Sequence, residues 1–247
     1  MKVVTPSRLM ADAADVLAPV RDAVVVFGAI AVEVALAESD TVITPTRDVD
    51  LVVATPKVAE VVRRLEEAGL KPSEIPYEQA FTWVRGDLKV QLVRSFHPFP
   101  KGPAQRLPSQ PAVTVADDAA HQDEVSFADE PALLRFRCVS TACLVALKGQ
   151  AFGRLRSGGN TVVDRDFCDV YLVLRDAGDA VVDDYERADW TVRAWVQQAV
   201  RVLADDDQAI TRAAREASRI GVVRDLPSAE ADVRRVATRF QRRLPSR

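Results

Sequence analysis

The sequence has few of the residues that build disulfide frameworks or zinc sites. Its 247 residues include three cysteines (Cys138, Cys143 and Cys168) and two histidines (His97 and His121). Because the cysteines are odd in number and lack CxxC spacing, we interpret them as buried thiols in a reducing cytoplasm. Neither histidine has a partner at metal-ligand spacing, which argues against a zinc site.

Long apolar runs are also absent. No stretch approaches the roughly eighteen apolar residues of a transmembrane helix. The first twenty residues have no long apolar segment followed by a small-residue cleavage site, so no signal peptide is predicted. With 48% hydrophobic and 28% charged residues, the composition predicts a soluble, cytoplasmic, globular protein with no membrane partner.

The net charge of −3 argues against a general nucleic-acid-binding protein, but the charge is unevenly distributed. From Arg193 to Arg247, twelve arginines against seven acidic residues give a local charge of +5, which leaves −8 for the rest of the chain. Such a basic segment is typical either of the solvated face of helices or of a surface that contacts RNA or polyphosphate.

The first half of the chain alternates between strand and helix patterns. Gly86 and Asp87 separate two strand patterns, as in a tight hairpin. A Pro-rich connection over residues 97–111 is incompatible with regular structure. The predicted elements are a helix over 6–20, a strand over 23–27, a helix over 29–38, a strand over 48–54, a helix over 56–69, and strands over 79–86 and 88–95.

The second half is mainly helical. A flexible turn is predicted at 156–160, where the sequence reads RSGGN. The predicted helices cover 138–155, 164–178, 189–204 and 228–244. The predicted organisation is therefore an α/β lobe over residues 1–125, followed by a mainly helical lobe over residues 126–247.

Two aspartates open the strand predicted over 48–54. Residues i and i+2 of a strand point to one face, so Asp48 and Asp50 project together while Val49 and Leu51 point into the core. Two adjacent carboxylates repel each other unless a cation lies between them, and Mg²⁺ accepts one or two carboxylates together with phosphate oxygens. Gly28, about twenty residues earlier at a strand-to-helix turn, would let the backbone approach a phosphate at a helix N-terminus. The simpler alternative is a pair of acids at a strand edge.

These residues carry a family resemblance. Residues 25–53, "VVFGA…TRDVDLVV", resemble the hG-G/S…DxD motif of the nucleotidyltransferase superfamily. The basic residue together with the "DVDLVV" that follows it resembles the corresponding motif of the AbiEii-like branch, which includes toxins of type IV toxin–antitoxin systems. Residues 144–174 are similar to that branch's lysine-bearing helix and the basic-Asp-x-x-Asp helix after it. The resemblance, over about residues 20–175, implies an α+β fold of the nucleotidyltransferase (polymerase-beta-like) type, with a small mixed sheet, flanking helices and a helical lobe.

The resemblance also implies an activity. It is the Mg²⁺- or Mn²⁺-dependent transfer of a nucleoside monophosphate from an NTP to an acceptor hydroxyl, which in the toxin branch is the 3′ end of tRNA. The implied partners are an NTP, a tRNA bound through the basic C-terminal helices, and a cognate antitoxin. Two alternatives stay open: a small-molecule acceptor such as an aminoglycoside, and a nucleotide-binding or interaction protein that has lost catalysis.

Site residues follow from the resemblance position by position. Lys148 also fits an exposed helix lysine, and Asp166 also fits an acid favoured at a helix N-terminus. Arg47 and Arg165 fit salt-bridge partners of the aspartates as well as nucleotide contacts. The implied metal ligands are Asp48 and Asp50; the catalytic set is Asp48, Asp50, Lys148 and Asp166; the nucleotide-binding set is Gly28, Ala29, Arg47, Lys148, Arg165 and Asp169.

The sequence departs from the family pattern at two positions. Ala29 stands at the usual second small position after the glycine, and it lacks the hydroxyl that serine would offer a phosphate. Gln91 stands where many superfamily members carry a third carboxylate on a neighbouring strand. Glutamine cannot take up a proton as a general base and carries no charge to hold a second metal ion.

Overall fold

The computed structural model describes residues 2–4, 8–41, 48–76, 78–79, 81–95, 123–127, 136–152 and 161–245. Within these residues the chain forms a mixed α+β fold of eight strands and nine α-helices. Arg47, the Pro-rich connection 97–111 and the turn 156–160 lie outside them. No helix in the described part of the chain is both long and apolar enough to cross a membrane.

A single sheet contains all eight strands. Its spatial order is β1-β7-β8-β2-β3-β6-β5-β4. Both strand directions occur, since β2 pairs antiparallel with β3 whereas β3 pairs parallel with β6. The strands are β1 (Lys2–Val4), β2 (Val24–Phe27), β3 (Asp48–Ala54), β4 (Lys71–Pro72), β5 (Thr82–Arg85), β6 (Leu88–Ser95), β7 (Asp123–Phe127) and β8 (Phe136–Cys138).

The helices divide between the two ends of the sequence. Three lie among the strands: α1 (Arg8–Leu17), α2 (Gly28–Ala35) and α3 (Val58–Glu67). Six follow the last strand: α4 (Thr141–Ala151), α5 (Thr161–Asp176), α6 (Gly178–Arg187), α7 (Trp190–Asp205), α8 (Asp207–Arg219) and α9 (Leu226–Arg243).

The chain forms two compact units, and one of them is discontinuous in sequence. Unit 1 comprises Met1–Ala37 and Pro45–Ser140, and unit 2 comprises Glu38–Thr44 and Thr141–Arg247. These limits differ from the predicted lobes 1–125 and 126–247, because β7 and β8 extend the sheet to residue 138. Unit 2 also includes Glu38–Thr44, a part of the connection between α2 and β3.

Local signals in the sequence account for the helix ends. Gly69 follows α3 with φ +84°, and Leu70 N–H donates back to Leu65 C=O at 3.1 Å, as in a glycine-terminated helix. Asp206 caps α8 by accepting from the N–H groups of Gln208 and Ala209. Asp189 and Asp225 cap α7 and α9 in the same way.

Most predicted elements are confirmed, with shifted boundaries. The strand over 48–54 is confirmed as β3, and the hairpin at Gly86 is confirmed by the pairing of Arg85 with Leu88. The helix predicted from 138 begins instead at Thr141, because residues 136–138 join the sheet as β8. The helix predicted over 56–69 is α3 alone, preceded by a 3₁₀ turn at Thr55–Lys57 that contains the proline.

Candidate functional site

Asp48 and Asp50 lie on one face of β3. Both are half-buried, whereas Val49 and Leu51 between and after them are fully buried. The alternation follows from the two-residue period of a strand. The two carboxylates therefore belong to the same partly accessible face of unit 1, which the sequence predicts.

Gly28 is the first residue of α2 and lies against Asp50. Its φ is +69°, a conformation that other residues rarely adopt. A Cβ added at Gly28 would lie 1.9 Å from Asp50 Oδ2 and 2.8 Å from its Cγ. The structure thus requires glycine here to make room for the Asp50 carboxylate, whereas the sequence pattern predicts a glycine that lets the backbone approach a phosphate. Ala29, the next residue, is half-buried.

Strand β6 places two polar residues beside the aspartates. In the parallel register, Lys89 is the Cα partner of Asp48 and Gln91 is the Cα partner of Asp50. Partners in adjacent strands point to the same face of the sheet. Gln91 therefore occupies the position beside Asp50 that the sequence analysis assigned to it, and Lys89 stands next to it on the same face.

A buried acid in unit 1 was missed by the sequence analysis. Glu78 lies in the turn before β5, and its Oε2 is 3.5 Å from Lys89 Nζ. The same oxygen accepts a hydrogen bond from Ser73 Oγ at 3.0 Å. Glu78 was hidden because it belongs to an irregular segment with no periodic pattern. Lys89 was detectable, since it precedes Gln91 by two residues in a predicted strand.

The donor set of unit 1 fits a hard divalent cation that a ligand helps to hold. No group of three or more His, Cys, Asp or Glu side chains suited to a metal ion occurs among the described residues. Mg²⁺ nevertheless needs only one or two protein carboxylates when phosphate oxygens and waters complete its octahedron. Asp48 and Asp50, half-buried on one face, meet that requirement.

Unit 2 brings together Lys148, Asp166 and Asp169. Lys148 Nζ on α4 donates to Asp166 Oδ1 at 2.7 Å and lies 2.8 Å from Asp169 Oδ2, both on α5. The side chains are only 14%, 16% and 6% exposed, respectively. The three-residue spacing places both acids on one helix face, as predicted, and Lys148 bridges them.

Burial and charge act in opposite directions on this cluster. Burial would lower the pKa of Lys148, but the Asp169 and Asp166 carboxylates outweigh it, so that its pKa lies above the ordinary value. For Asp169, burial dominates over the attraction of Lys148 and raises its pKa. One ammonium thus faces two carboxylates in a largely dehydrated environment.

Close packing of α4 against its neighbours holds Lys148 in place. Phe152, the residue directly after α4, stacks on Phe167 of α5, with ring centroids 4.1 Å apart. A Cβ added at Gly149 would lie 2.5 Å from the Cβ of Ala199 on α7. Arg165 is half-buried on α5, where its charge partly offsets the rise in the pKa of Asp169.

A second polar cluster of unit 2 contains a residue from the segment between α2 and β3. Thr41 Oγ1 donates to Asp176 Oδ2 at 2.6 Å and accepts from Arg175 at 2.7 Å. Arg175 also contacts Asp176 through two hydrogen bonds, at 2.6 and 2.7 Å. Despite burial, the Arg175 and Thr41 hydrogen bonds keep the pKa of Asp176 below its ordinary value.

Several arginines of the basic C-terminal segment form ion pairs within unit 2, which reduces the charge this segment presents. Arg212 lies 3.3 Å from Asp164, Arg234 lies 2.6 Å from Asp207, and Arg243 lies 2.5 Å from Asp179. Exposed arginines also occur, at positions 201, 215, 224, 239 and 242.

The predicted site residues that the structure describes fall into two groups, one in each unit. Gly28, Asp48 and Asp50 lie together in unit 1, and Lys148, Asp166 and Asp169 lie together in unit 2. Comparison of the chain with models of protein families, with curated proteins and with solved structures finds no match.

Proposed function

We propose that the protein is a metal-dependent nucleotidyltransferase. It transfers a nucleoside monophosphate from an NTP to an acceptor hydroxyl. The AbiEii-like resemblance makes the 3′ end of tRNA the preferred acceptor. The proposal includes the nucleotidyltransferase type of fold, with unit 1 as the nucleotide-binding part.

One observation carries the proposal. Asp48 and Asp50 project from one face of a strand beside a helix that begins at Gly28, and the Asp50 carboxylate is packed against this glycine. A pure strand-edge pair of acids would need neither a left-handed glycine nor such close packing. The arrangement holds one carboxylate in position, which is what a metal ligand requires.

The chain's own residues would divide the chemistry as follows. Bound Mg²⁺ would neutralise phosphate charge and orient the triphosphate. Asp48 and Asp50 would hold the metal–NTP complex. The acceptor oxygen forms a bond to the α-phosphorus as the bond from that phosphorus to the bridging oxygen breaks, and pyrophosphate leaves. Gln91 cannot take up the acceptor proton, and in this proposal the proton passes to solvent water.

The Lys148 cluster limits what unit 2 can contribute. The ammonium of Lys148 is already compensated by two carboxylates at 2.7 and 2.8 Å. The phosphate contact that the resemblance implies for Lys148 therefore requires Asp166 or Asp169 to release it. Docking of RNA on unit 2 depends on the exposed arginines, since the ion-paired ones are partly neutralised.

The test is label transfer from each NTP to total tRNA in the presence of Mg²⁺. We expect transfer by the wild-type protein and its loss in Asp48→Asn and in Asp50→Asn. Asp15→Asn is the matched control, because Asp15 is an exposed aspartate of the same unit. Label transfer that persists in both site variants contradicts the assignment, as does the absence of transfer to any acceptor class.

A second function is favoured by Gln91. A neutral amide beside Asp50, where a third carboxylate is usual, suits a protein that binds nucleotide without turning it over. Under this alternative, NTP with Mg²⁺ raises the melting temperature of the wild-type protein but not of Asp50→Asn. Transfer to tRNA and to small acceptors such as aminoglycosides is then absent.

A further inference from the structure

Two residues of β6 set the charge next to the aspartates. Strand β6 lies between β3 and β5, and it presents Lys89 beside Asp48 and Gln91 beside Asp50. Adjacent strands are about 4.8 Å apart, so these side chains are immediate neighbours on one face. The strand that would supply a third carboxylate supplies a neutral amide and a cation instead.

The ammonium of Lys89 is held by a buried acid, Glu78. Glu78 Oε2, which lies in the turn leading into β5, is 3.5 Å from the Lys89 ammonium. Ser73 Oγ donates to the same oxygen at 3.0 Å, and both Ser73 and Glu78 are buried. Lys89 itself is 38% exposed, so its ammonium is positioned and still reachable by a ligand.

The charge pattern disfavours a second divalent cation. A second metal ion would need a further anionic ligand next to Asp50, where Gln91 offers only a neutral carbonyl. The second metal ion would also be repelled by the ammonium of Lys89, which lies two residues before Gln91 on the same face of β6. A lysine ammonium has three donors and binds phosphate as a point charge, and so it can supply the positive charge that is otherwise missing.

We propose that Lys89 takes the place of a second metal ion. On this inference, which rests on the proposed nucleotidyltransferase function, a single divalent ion binds at Asp48 and Asp50. The Lys89 ammonium, positioned by Glu78, contacts the phosphates of the same nucleotide. Lys89 is thereby a nucleotide-binding residue that the family pattern does not assign.

The test counts bound metal ions and measures nucleotide affinity in the full chain. Mn²⁺ is titrated by electron paramagnetic resonance against protein saturated with a non-hydrolysable analogue of each of the four NTPs. We expect one Mn²⁺ per nucleotide complex. Lys89→Met is expected to weaken nucleotide binding about tenfold or more, because it removes a charged hydrogen-bond donor to phosphate. Lys89→Arg should keep most of the affinity.

Two further variants separate a binding role from a structural one. Lys71→Met, at an exposed lysine of β4 in the same sheet, is expected to leave the affinity unchanged. Lys89→Met combined with Gln91→Glu is expected to admit a second Mn²⁺, because it exchanges a cation for a ligand. If Lys89 contributed to stability alone, the double variant would bind the same number of Mn²⁺ ions per nucleotide as the wild-type protein.

The outcomes distinguish this inference from the proposed function. Two Mn²⁺ ions per nucleotide in the wild-type protein overturn the Lys89 inference alone, as does unchanged nucleotide affinity in a folded Lys89→Met variant. Absence of nucleotide binding by the wild-type protein overturns both. The wild-type metal count stays decisive even if Lys89→Met does not fold.

Discussion

Replacing Gly28 by alanine should damage unit 1 in two ways that can be separated. The residue has φ +69°, so any side chain incurs a left-handed penalty of roughly 1–2 kcal/mol. The new Cβ would also lie 1.9 Å from Asp50 Oδ2, where ordinary contacts begin at 3.4 Å. Relieving this overlap moves the carboxylate by about 1.5 Å and adds about 1–3 kcal/mol.

Gly86→Ala is the matched control for the energetic cost of a side chain at positive φ. Gly86 has φ +59° in the turn between β5 and β6, and a Cβ there would meet nothing within 4 Å. Urea denaturation should therefore show a loss of about 2–5 kcal/mol for Gly28→Ala and of about 1–2 kcal/mol for Gly86→Ala. Equal losses would refute the packing of Gly28 against Asp50.

A double-variant cycle then locates the clash. Asp50→Ala removes the Oδ2 and Cγ atoms, and leaves a Cβ that lies 3.0 Å from the added methyl carbon. In that background the cost of Gly28→Ala should fall towards that of Gly86→Ala. A cost that stays unchanged would assign the whole effect to the backbone and would contradict the contact.

Two other predictions concern unit 2. Lys148→Met leaves Asp166 and Asp169 buried together without their cation, and urea denaturation at pH 7 should show a loss of about 3–5 kcal/mol. Because the pKa of Lys148 is raised, its contribution to stability is fully present below its ordinary pKa of 10.5. At pH 5 the stability loss in Lys148→Met should be smaller than at pH 7, because Asp169 takes up a proton more readily there. A loss that does not depend on pH would contradict the ion cluster. Asp176 has a lowered pKa, so its stabilisation is fully present above its ordinary value of 3.8 and is lost as the pH falls from there through the lowered pKa. Asp176→Asn should therefore destabilise the protein more at pH 7 than at pH 3, and Thr41→Val should reproduce part of the loss at pH 7.

The alternation of polar and apolar residues and the position of Gly28 were sufficient to predict the strand of the two aspartates and the strand-to-helix turn before it. The alternation of Asp48, Val49, Asp50 and Leu51 specified a strand with both acids on one face, and the structure has this strand. The reason for Gly28 was not predictable, because its contact with Asp50 joins positions 22 residues apart through the pairing of β2 with β3. Pair registers of this kind depend on tertiary packing.

Contacts between helices could not be predicted from the sequence for the same reason. Helical spacing predicted that Asp166 and Asp169 share a face, but the ion pairs with Lys148 depend on the packing of α4 on α5. Strand β8 follows the long Pro-rich part of the chain and has only three residues. Such a short run has no measurable periodicity, so the sequence does not predict this strand and assigns its last residue, Cys138, to the following helix.

The segment Glu38–Thr44 has a consequence for the order of events during synthesis. Thr41 and its partner Asp176 are 135 residues apart in sequence. At about 5–20 residues per second, Asp176 is made roughly 7 to 27 seconds after Thr41. During that interval the connection between α2 and β3 exists without its hydrogen-bond partners, and a chain cut after Ser140 would never acquire them. The last turn of α5 must therefore be translated before the connection to the Asp48 strand can take its native contacts.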